Sequence, residues 1–536
     1  MTTTCILINQ ITYNIPNIKP LFQDLSLSFS EEKTGIVGKN GTGKSTLLKL
    51  IIGDLIPELG SININGTLAY CPQDLNFLID ETIAKALGVE EKIQALQRIT
   101  QGSIDEKDYT LLGDDWHIQE KISQQLDAFD LAYLSLDQQI KTLSGGERTR
   151  LMLAKAFLAA PDFIICDEPT NNLDLASRQF LYQAIRSWDK GLIVVSHDRQ
   201  LLNLMDQIIE FNTLGIDCYG GNYDHYNEQK KLNQAALGQE ILDAQKSLSL
   251  TKQSIQCSYE KREQKQSKGR KLFLTGKIDR ITANSKKGRS EKTEGKNARN
   301  ADSMGKSAEE KLAQAKSKME ITYIIDVSLP KTQVAKDKIL INLEDVSYSY
   351  AKEAPPIINN FSCKIVGPER VSLLGTNGSG KTTLVKLIQG KLQPDKGLIE
   401  RGTTYINYLD QHAEALDPES SILDNFVRLN PGISDNDARH NLARFLFRNV
   451  SATKLVKYLS GGEKLRALLA CILMSEHPPQ LLILDEPTNH LDFDSITSIE
   501  TALSQYQGGL IVISHDQVFL ENIGVTKAIT SPFVVN

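Results

Sequence analysis

Two eight-residue segments of this 536-residue chain have the spacing that wraps a phosphate: Gly38, Lys39, Asn40, Gly41, Thr42, Gly43, Lys44 and Ser45, and again Gly375, Thr376, Asn377, Gly378, Ser379, Gly380, Lys381 and Thr382. In each, glycines let successive backbone amides turn toward an anion, and the lysine supplies a cation for the outer phosphates. The closing hydroxyl, Ser45 or Thr382, can ligate magnesium. Thr46 and Thr383 carry the loops onward. Short apolar runs, Thr34–Val37 and Val371–Leu374, precede them, and helices are expected to open near Lys44 and Lys381. Strand, loop, helix is the context this spacing requires. One chance match in a chain of this length has a probability on the order of one in a hundred, so two exclude coincidence.

Carboxylates supply a second chemistry. The apolar run Phe163–Cys166 ends in Asp167 and Glu168, and Leu481–Leu484 ends in Asp485 and Glu486. Such runs read as buried parallel strands whose C-terminal ends meet the ligand of an open α/β sheet. Asp167 and Asp485 are then expected to hold magnesium, largely through water, while Glu168 and Glu486 polarise an attacking water. His197 and His515 end two further apolar runs, Leu192–Val195 and Leu510–Ile513, and are placed to touch a terminal phosphate.

The elements that position these residues occur twice and in one order. Phosphate loop, Leu-Ser-Gly-Gly-Glu (Leu143–Glu147, Leu459–Glu463), Asp-Glu strand and Ser-His-Asp follow one another in both halves. An apolar fraction of 40% and a charged fraction of 24% are ordinary globular usage, and the length suits two or three cores. Seven scattered cysteines with no CxxC pair exclude a disulfide framework or structural zinc site. No apolar run approaches the roughly 18 residues of a membrane helix. The first ten residues lack signal-peptide character, so a cytoplasmic protein is expected. The net charge of −6 is unevenly spread: Thr251–Glu320 holds 19 Lys or Arg against 9 Asp or Glu, a net of +10, and the remainder carries −16. A basic island in an acidic chain is a candidate nucleic-acid contact, since neutralised phosphates release counterions; as a bare charge run it reads equally as a solvated linker.

Over nearly its whole length the sequence resembles the ATP-binding cassette superfamily, whose specific mark is the LSGGE segment between phosphate loop and Asp-Glu strand. The resemblance implies an α/β fold with two P-loop ATP-binding cassette domains, residues 1–222 and 336–536, joined by an α-helical hairpin linker, 223–325. It implies ATP and Mg2+ as ligands, and a monomer whose cassettes pair head to tail within one chain. Site one would combine Gly38 to Thr46, Gln73, Asp167, Glu168 and His197 with Ser460, Gly461, Gly462 and Glu463. Site two would combine Gly375 to Thr383, Gln411, Asp485, Glu486 and His515 with Ser144, Gly145, Gly146 and Glu147. Gln73 and Gln411 join Ser45, Asp167, Thr382 and Asp485 around the metal, and Tyr350 stands where cassettes stack an aromatic on adenine. The matching first-half position falls at Ile15, with Tyr13 two residues earlier.

Within that superfamily the chain looks like the ABC-F branch, tandem cassettes that mostly act on ribosomes. The Glu-Pro-Thr-Asn-x-Leu-Asp stretch carries this match, with His490 in the second half and Asn172 in the equivalent first-half position, as do the roughly 100-residue join and Tyr219–Tyr223 leading into it. Leu237, Ile241, Ala244 and Leu248 fall at helical spacing, predicting a long helix over about Tyr223–Lys268, roughly 50 to 65 Å. Ser307 and Glu310 form a capping-box pattern that predicts the start of a returning helix through Leu312, Ala315 and Met319. The tip, Ser267–Asn300, is rich in Lys, Arg, Gly and Ser, and partial disorder is expected there. By resemblance this island reaches ribosomal RNA and transfer RNA, making the ribosome the partner. Gln73 to Ser144 spans 71 positions and Gln411 to Ser460 only 49; the 22 extra, around Glu90–Glu120, suit either a short arm or a larger helical subdomain. Only 21 residues follow His515, so no C-terminal coiled coil is expected. The rival function is the ATPase subunit of a transporter with a separate permease. A DNA-repair or chromosome ATPase is disfavoured, since zinc modules and very long coiled coils are not encoded.

Overall fold

A computed structural model describes residues 4–15, 20–73, 80–171, 173–274, 302–317, 325, 327–351, 355–410, 414–531 and 533. The chain divides into two compact units, Met1–Tyr223 with Thr322–Asn536, and Asp224–Ile321.

The first unit holds both repeats. In the first, the strands are β1 (Cys5–Asn14), β2 (Pro20–Phe29), β3 (Lys33–Gly38), β4 (Leu59–Asn65), β5 (Leu68–Cys71), β6 (Phe163–Asp167), β7 (Gly191–Val195), β8 (Gln207–Phe211) and β9 (Ile216–Gly220). In the second they are β10 (Ile339–Tyr348), β11 (Ile358–Val366), β12 (Arg370–Leu374), β13 (Lys396–Arg401), β14 (Ile406–Leu409), β15 (Leu481–Asp485), β16 (Gly509–Ile513) and β17 (Lys527–Thr530). Each repeat pairs a three-stranded antiparallel sheet, β2-β1-β4 or β11-β10-β13, with a larger sheet, β5-β6-β7-β3-β8-β9 or β14-β15-β16-β12-β17. The larger sheets are parallel apart from β9. Continuous apolar runs make this possible: β6, β7 and β16 are buried at every residue, as strands covered on both faces must be. Because β6, β7 and β3 are neighbours, the phosphate loop after β3, the carboxylates ending β6 and the histidine after β7 emerge together at one sheet edge. The order β15-β16-β12 repeats the arrangement.

The extra length of the first repeat falls in a stretch folded as helices Glu90–Thr100, Glu106–Leu112 and Ile118–Ala128, with Ile93, Leu112, Ile118, Ile122 and Leu126 buried. They form a larger helical subdomain. The second repeat's core begins before residue 336, since Ile325, Val327 and Leu329 pack with Leu416, Phe426 and Leu503.

The second unit contains most of the helix Tyr223–Leu274, 52 residues and about 78 Å at helical rise. It runs six residues beyond the sequence expectation, because Arg270–Leu274 are compatible with a helix and no proline follows Lys268 to end it. Leu237, Ile241, Ala244 and Leu248 are its half-buried positions, as their spacing predicts. The returning helix spans 302–317, which corrects the capping-box reading: Ser307 lies inside it. An Asp302–Lys306 ion pair at 3.1 Å supports the earlier turn, and Ser and Glu three apart recur in helix interiors without capping. The two helices are antiparallel, with Lys252 3.1 Å from Glu309 and Ile255 facing Gly305. Met319 and 275–301, most of the expected tip, lie outside the described residues.

Leu482, fully buried in β15, has no room to give. Leu482→Ala is expected to lower stability by about 2 to 5 kcal/mol. Leu398→Ala, at a position 52% exposed, should cost under about 0.5 kcal/mol. Urea unfolding followed by circular dichroism distinguishes the two.

Candidate nucleotide sites

Each phosphate loop is shaped by residues at its ends. Gly38 and Gly375 have φ of 146° and 153°, and a Cβ on Gly38 would stand 2.2 Å from the Phe211 carbonyl oxygen, so only glycine fits. Gly43 and Gly380, in the left-handed region, start the helices Lys44–Ile52 and Lys381–Gln389. Lys44 donates from Nζ to the carbonyl oxygens of Gly38 at 2.7 Å and Lys39 at 2.9 Å; Lys381 does the same to Gly375 at 2.6 Å and Thr376 at 3.0 Å. Burial lowers the pKa of both lysines, opposed by the nearby carboxylates.

Behind each loop sits a carboxylate–imidazole pair. Glu168 Oε1 lies 3.4 Å from His197 Nε2, and Glu486 Oε1 lies 3.4 Å from His515 Nε2. Burial pushes the carboxyls up, to about 8 for Glu168 and about 7 for Glu486, and pushes the imidazoles down, to about 3 for His197 and about 4 for His515. Both glutamates adopt positive φ, 51° and 45°, a strained conformation that costs about 1 to 3 kcal/mol each and aims the side chain off the strand end.

Oxygen donors suited to magnesium flank them. Ser45 donates to Asp167, whose Oδ1 is buried without a hydrogen-bond partner among the described residues; burial raises the Asp167 pKa. Asp485 accepts from Tyr408 through Oδ2 at 2.9 Å. An orphaned buried carboxylate oxygen beside a hydroxyl fits a hard cation with waters. Gln73 lines the same cavity as Ser45 and Asp167, and Thr382 is the second residue of the helix that Lys381 opens; Gln411 and Asn172 lie outside the described residues.

The repeats meet through these loops. Asp492 Oδ2 accepts from the Asn40 backbone amide at 3.0 Å, and Asp174 Oδ2 accepts from the Asn377 amide at 3.3 Å. Asn40 also donates through Nδ2 to the His490 carbonyl at 2.9 Å. One cavity, ≈ 300 Å³, joins Ser144, Gly145 and Gly146 of the first repeat to Asn377, Glu486 and His515 of the second. The other, ≈ 410 Å³, joins Asn40, Gly41, Gly43, Lys44, Ser45 and Thr46 to Gln73, Asp167, Glu168 and His197, with Ile15 on one wall and His490 of the second repeat on another. Ser460, Gly461, Gly462 and Glu463 are not among the residues lining that second cavity; a Cβ on Gly461 would stand 4.0 Å from the carbonyl oxygen of His490, which does line it. The carboxylates of Glu147 and Glu463 each accept from their signature serine's amide, closing a capping box that fixes Ser144 and Ser460 at the helix starts. Tyr350, 59% exposed, donates to or accepts from Thr383 at 3.1 Å. Matching positive-φ residues, Gln10 and Asp345, bring Tyr13 level with Tyr348 and Ile15 level with Tyr350.

Sequence reasoning missed Asp174 and Asp492, whose helix-capping pattern, Asp followed by Ser three residues on, hides a second bond across the interface. It also missed a cluster on one side only. Phe493 packs between His197, 5.3 Å away, and Tyr223, 5.0 Å away, and Arg199 over its ring pairs with Glu500 at 3.0 Å. The signal for it was an aromatic after one Leu-Asp and not the other.

Two measurements follow from this geometry. Tyr350→Ala is expected to weaken ATP binding at site two by about 1 to 2 kcal/mol, and Ile15→Ala at site one by much less, in site-resolved titrations. The second concerns pH in the nucleotide-free chain. Glu168, raised to about 8, holds more protons folded than unfolded above its ordinary range, so it makes stability fall as pH rises; His197, lowered to about 3, does the opposite below pH 6.5. The slopes oppose one another between about pH 5 and 6.5. Glu168→Gln removes the first, so its stability relative to the unsubstituted chain should increase from pH 5 to 7, read from thermal midpoints across that range.

Comparison with known proteins accords with this geometry. The model of the ABC transporter family matches residues 22–171 and 358–489, one stretch in each repeat. The ATP-binding protein Uup of Haemophilus influenzae is 32% identical over 516 residues, covering 91% of this chain and 72% of that protein. ABC transporter F family member 5 of Arabidopsis thaliana is 28% identical, covering 92% and 70%. Among solved structures, the RNase-L Inhibitor aligns with a TM-score of 0.59 at 20% identity, covering 97% of this chain and 87% of that one. The archaeal ribosome recycling factor aABCE1, solved with the stalk protein aP1, aligns at 0.60 and 20%, covering 96% and 86%. At that identity the likeness is one of fold. Among the described residues no helix is long and apolar enough to cross a membrane. The tandem phosphate loops, the family match in both repeats and the 32% identity to Uup over 91% of the chain together place the chain in the ABC-F family of ATP-binding cassette proteins.

Proposed function

We propose that the protein hydrolyses ATP to ADP and phosphate at two composite sites and works on the ribosome, as a translation or ribosome-protection factor of the cytoplasm, with ribosomal RNA and transfer RNA against its basic linker. The reciprocal Asp492–Asn40 and Asp174–Asn377 bonds support composite sites, because each phosphate loop leans on the opposite cassette. Lys44 or Lys381 pairs with the outer phosphates, and Ser144 or Ser460, fixed by its capping box, offers a hydroxyl from the far side. Ser45, Gln73 and Asp167, with Thr382, Gln411 and Asp485, would hold Mg2+, which when bound offsets phosphate charge. Glu168 and Glu486 take a proton from the attacking water. Their burial suits that task, since a carboxyl raised toward neutrality binds a proton more readily than an exposed one. A neutral His197 or His515 beside each glutamate offers one donor and one acceptor, enough to orient the water and the transferred oxygen. Closure around ATP would join the cassettes, and hydrolysis would release them.

One observation carries the ribosomal reading: the join contains an antiparallel pair of helices, the longer about 78 Å, and its residues Thr251–Glu320 carry a net charge of +10. A transporter ATPase has no use for such a probe, whereas an RNA surface meets it with phosphates.

Glu168→Gln combined with Glu486→Gln keeps side-chain size and ATP binding while removing the base. Turnover is expected to fall by about 10²- to 10⁴-fold. The closed form should then accumulate on ribosomes and inhibit cell-free translation, and adding Lys44→Ala and Lys381→Ala should abolish both effects by removing ATP. Collection on membranes with translation untouched would overturn the ribosomal reading and leave the ATPase standing.

A further inference from the structure

One cavity wall carries a buried cation that the equivalent position of the other cassette lacks. Arg178, on the first cassette's helix Leu175–Ser187, is 9% exposed and lies on the wall of the cavity that contains Ser144, Asn377, Glu486 and His515. It reaches that wall under restraint: Nε donates to the Leu173 carbonyl at 3.2 Å, and Nη1 donates to Asp198 Oδ2 at 3.1 Å, which also accepts from Tyr182 at 2.6 Å. A planar guanidinium held through Nε and Nη1 keeps the two N–H groups of Nη2 for a second anion, and arginine suits phosphate in this way better than lysine. The corresponding residue of the second cassette, four after Asp492 as Arg178 is four after Asp174, is Ile496, 1% exposed.

We propose that Arg178 is a substrate-binding cation of site two, donated across the interface by the first cassette to the terminal phosphate of a nucleoside triphosphate, and that site one has no equivalent. This rests on reading the Lys381–Glu486 cavity as a nucleotide site. The electrostatics agree: at Glu486 burial is the largest influence and Arg178 the next, opposing it, whereas at Glu168 that second place belongs to Lys44 of the same cassette. A cation supplied in trans binds the triphosphate only when the cassettes are together, so site two senses closure through charge and site one does not.

The test isolates each site in the full-length chain, with Lys44→Ala leaving site two and Lys381→Ala leaving site one. Arg178→Met is expected to lower turnover on the order of 100-fold in the Lys44→Ala background and less than about 2-fold in the Lys381→Ala background. Arg178→Lys should recover part of the loss. Asp198→Asn, which keeps the helix cap and the cation but removes the ion pair, should leave site two within about 3-fold. Equal losses in both backgrounds, or Asp198→Asn reproducing the site-two loss, would reduce Arg178 to a structural partner of Asp198 and overturn the proposal. Equilibrium binding of ATP with magnesium in the same variants separates this from the ATPase reading. A chain that binds ATP without turnover sinks that reading alone, and Arg178→Met weakening binding only in the Lys44→Ala background still upholds Arg178. Unchanged binding and turnover there overturn it.

Discussion

Everything at the interface turns on two aspartates that each serve two masters. Asp174 and Asp492 cap their own helices through Oδ1, accepting from Ser177 and Ser495 at 3.0 Å, and extend Oδ2 to the first turn of the opposite phosphate loop. Burial works against the charged form of each, and the hydrogen bonds more than offset it, so both stay well below the usual carboxylate range. A carboxylate accepting two amides is rigid in a way that one accepting a single bond is not. The helix start, the residues before it and the opposing phosphate loop are thereby fixed as one body. Glu486 lies six residues and His490 two residues upstream of Asp492, so the buried carboxylate of one cassette and the phosphate loop of the other share a frame.

That frame lets the sites keep charges that would otherwise be lost to water. Glu168 and His197, or Glu486 and His515, lie side by side largely removed from water on the wall of a cavity, and burial leaves a weakly acidic carboxyl against a neutral imidazole. In solution the same pair would be a carboxylate and a half-protonated imidazole near neutrality. The positive φ of Glu168 and Glu486 belongs to the same arrangement: a relaxed strand end would send these side chains along the sheet edge, and the left-handed kink turns them toward the loop.

Most of the cassette architecture was legible because it depends on local pattern. Apolar runs of four or five residues ending in Asp-Glu or Ser-His have one economical reading, a covered parallel strand, and the glycine spacing before Lys44 and Lys381 has one as well. The long helix was legible from Leu237 to Leu248, but its end was not, since a polar helix without a breaker has no boundary in its pattern. Ser307 failed for a related reason: a capping box is two residues, and only a third observation, the chain direction before it, tells a cap from an interior pair. What the sequence hid were bonds between residues about 200 to 450 positions apart, Asp174 with Asn377 and Asn40 with Asp492. Each partner has a sufficient local explanation, so nothing in its neighbourhood signals the second.

Fusion of two cassettes into one chain also permits an interface that a pair of identical subunits would not sustain, because a two-fold axis forces each contact to be made twice. The unequal contacts are concentrated where that freedom is used. Beside site one, Phe493 is wedged against His197 and Tyr223 and covered by the Arg199–Glu500 pair; beside site two the same positions are Leu175, Gln517 and Tyr182, and Tyr182 turns back to Asp198 in its own cassette. Buried pairs of this kind are expensive to break from one side, about 3 to 5 kcal/mol when a partner is removed. The site-one flank therefore resists separation by packing and charge that do not involve nucleotide, while the Arg178 flank offers its charge to the cavity. Tyr223 is also the first residue of the long helix, so the resistant flank is the one from which the basic hairpin departs.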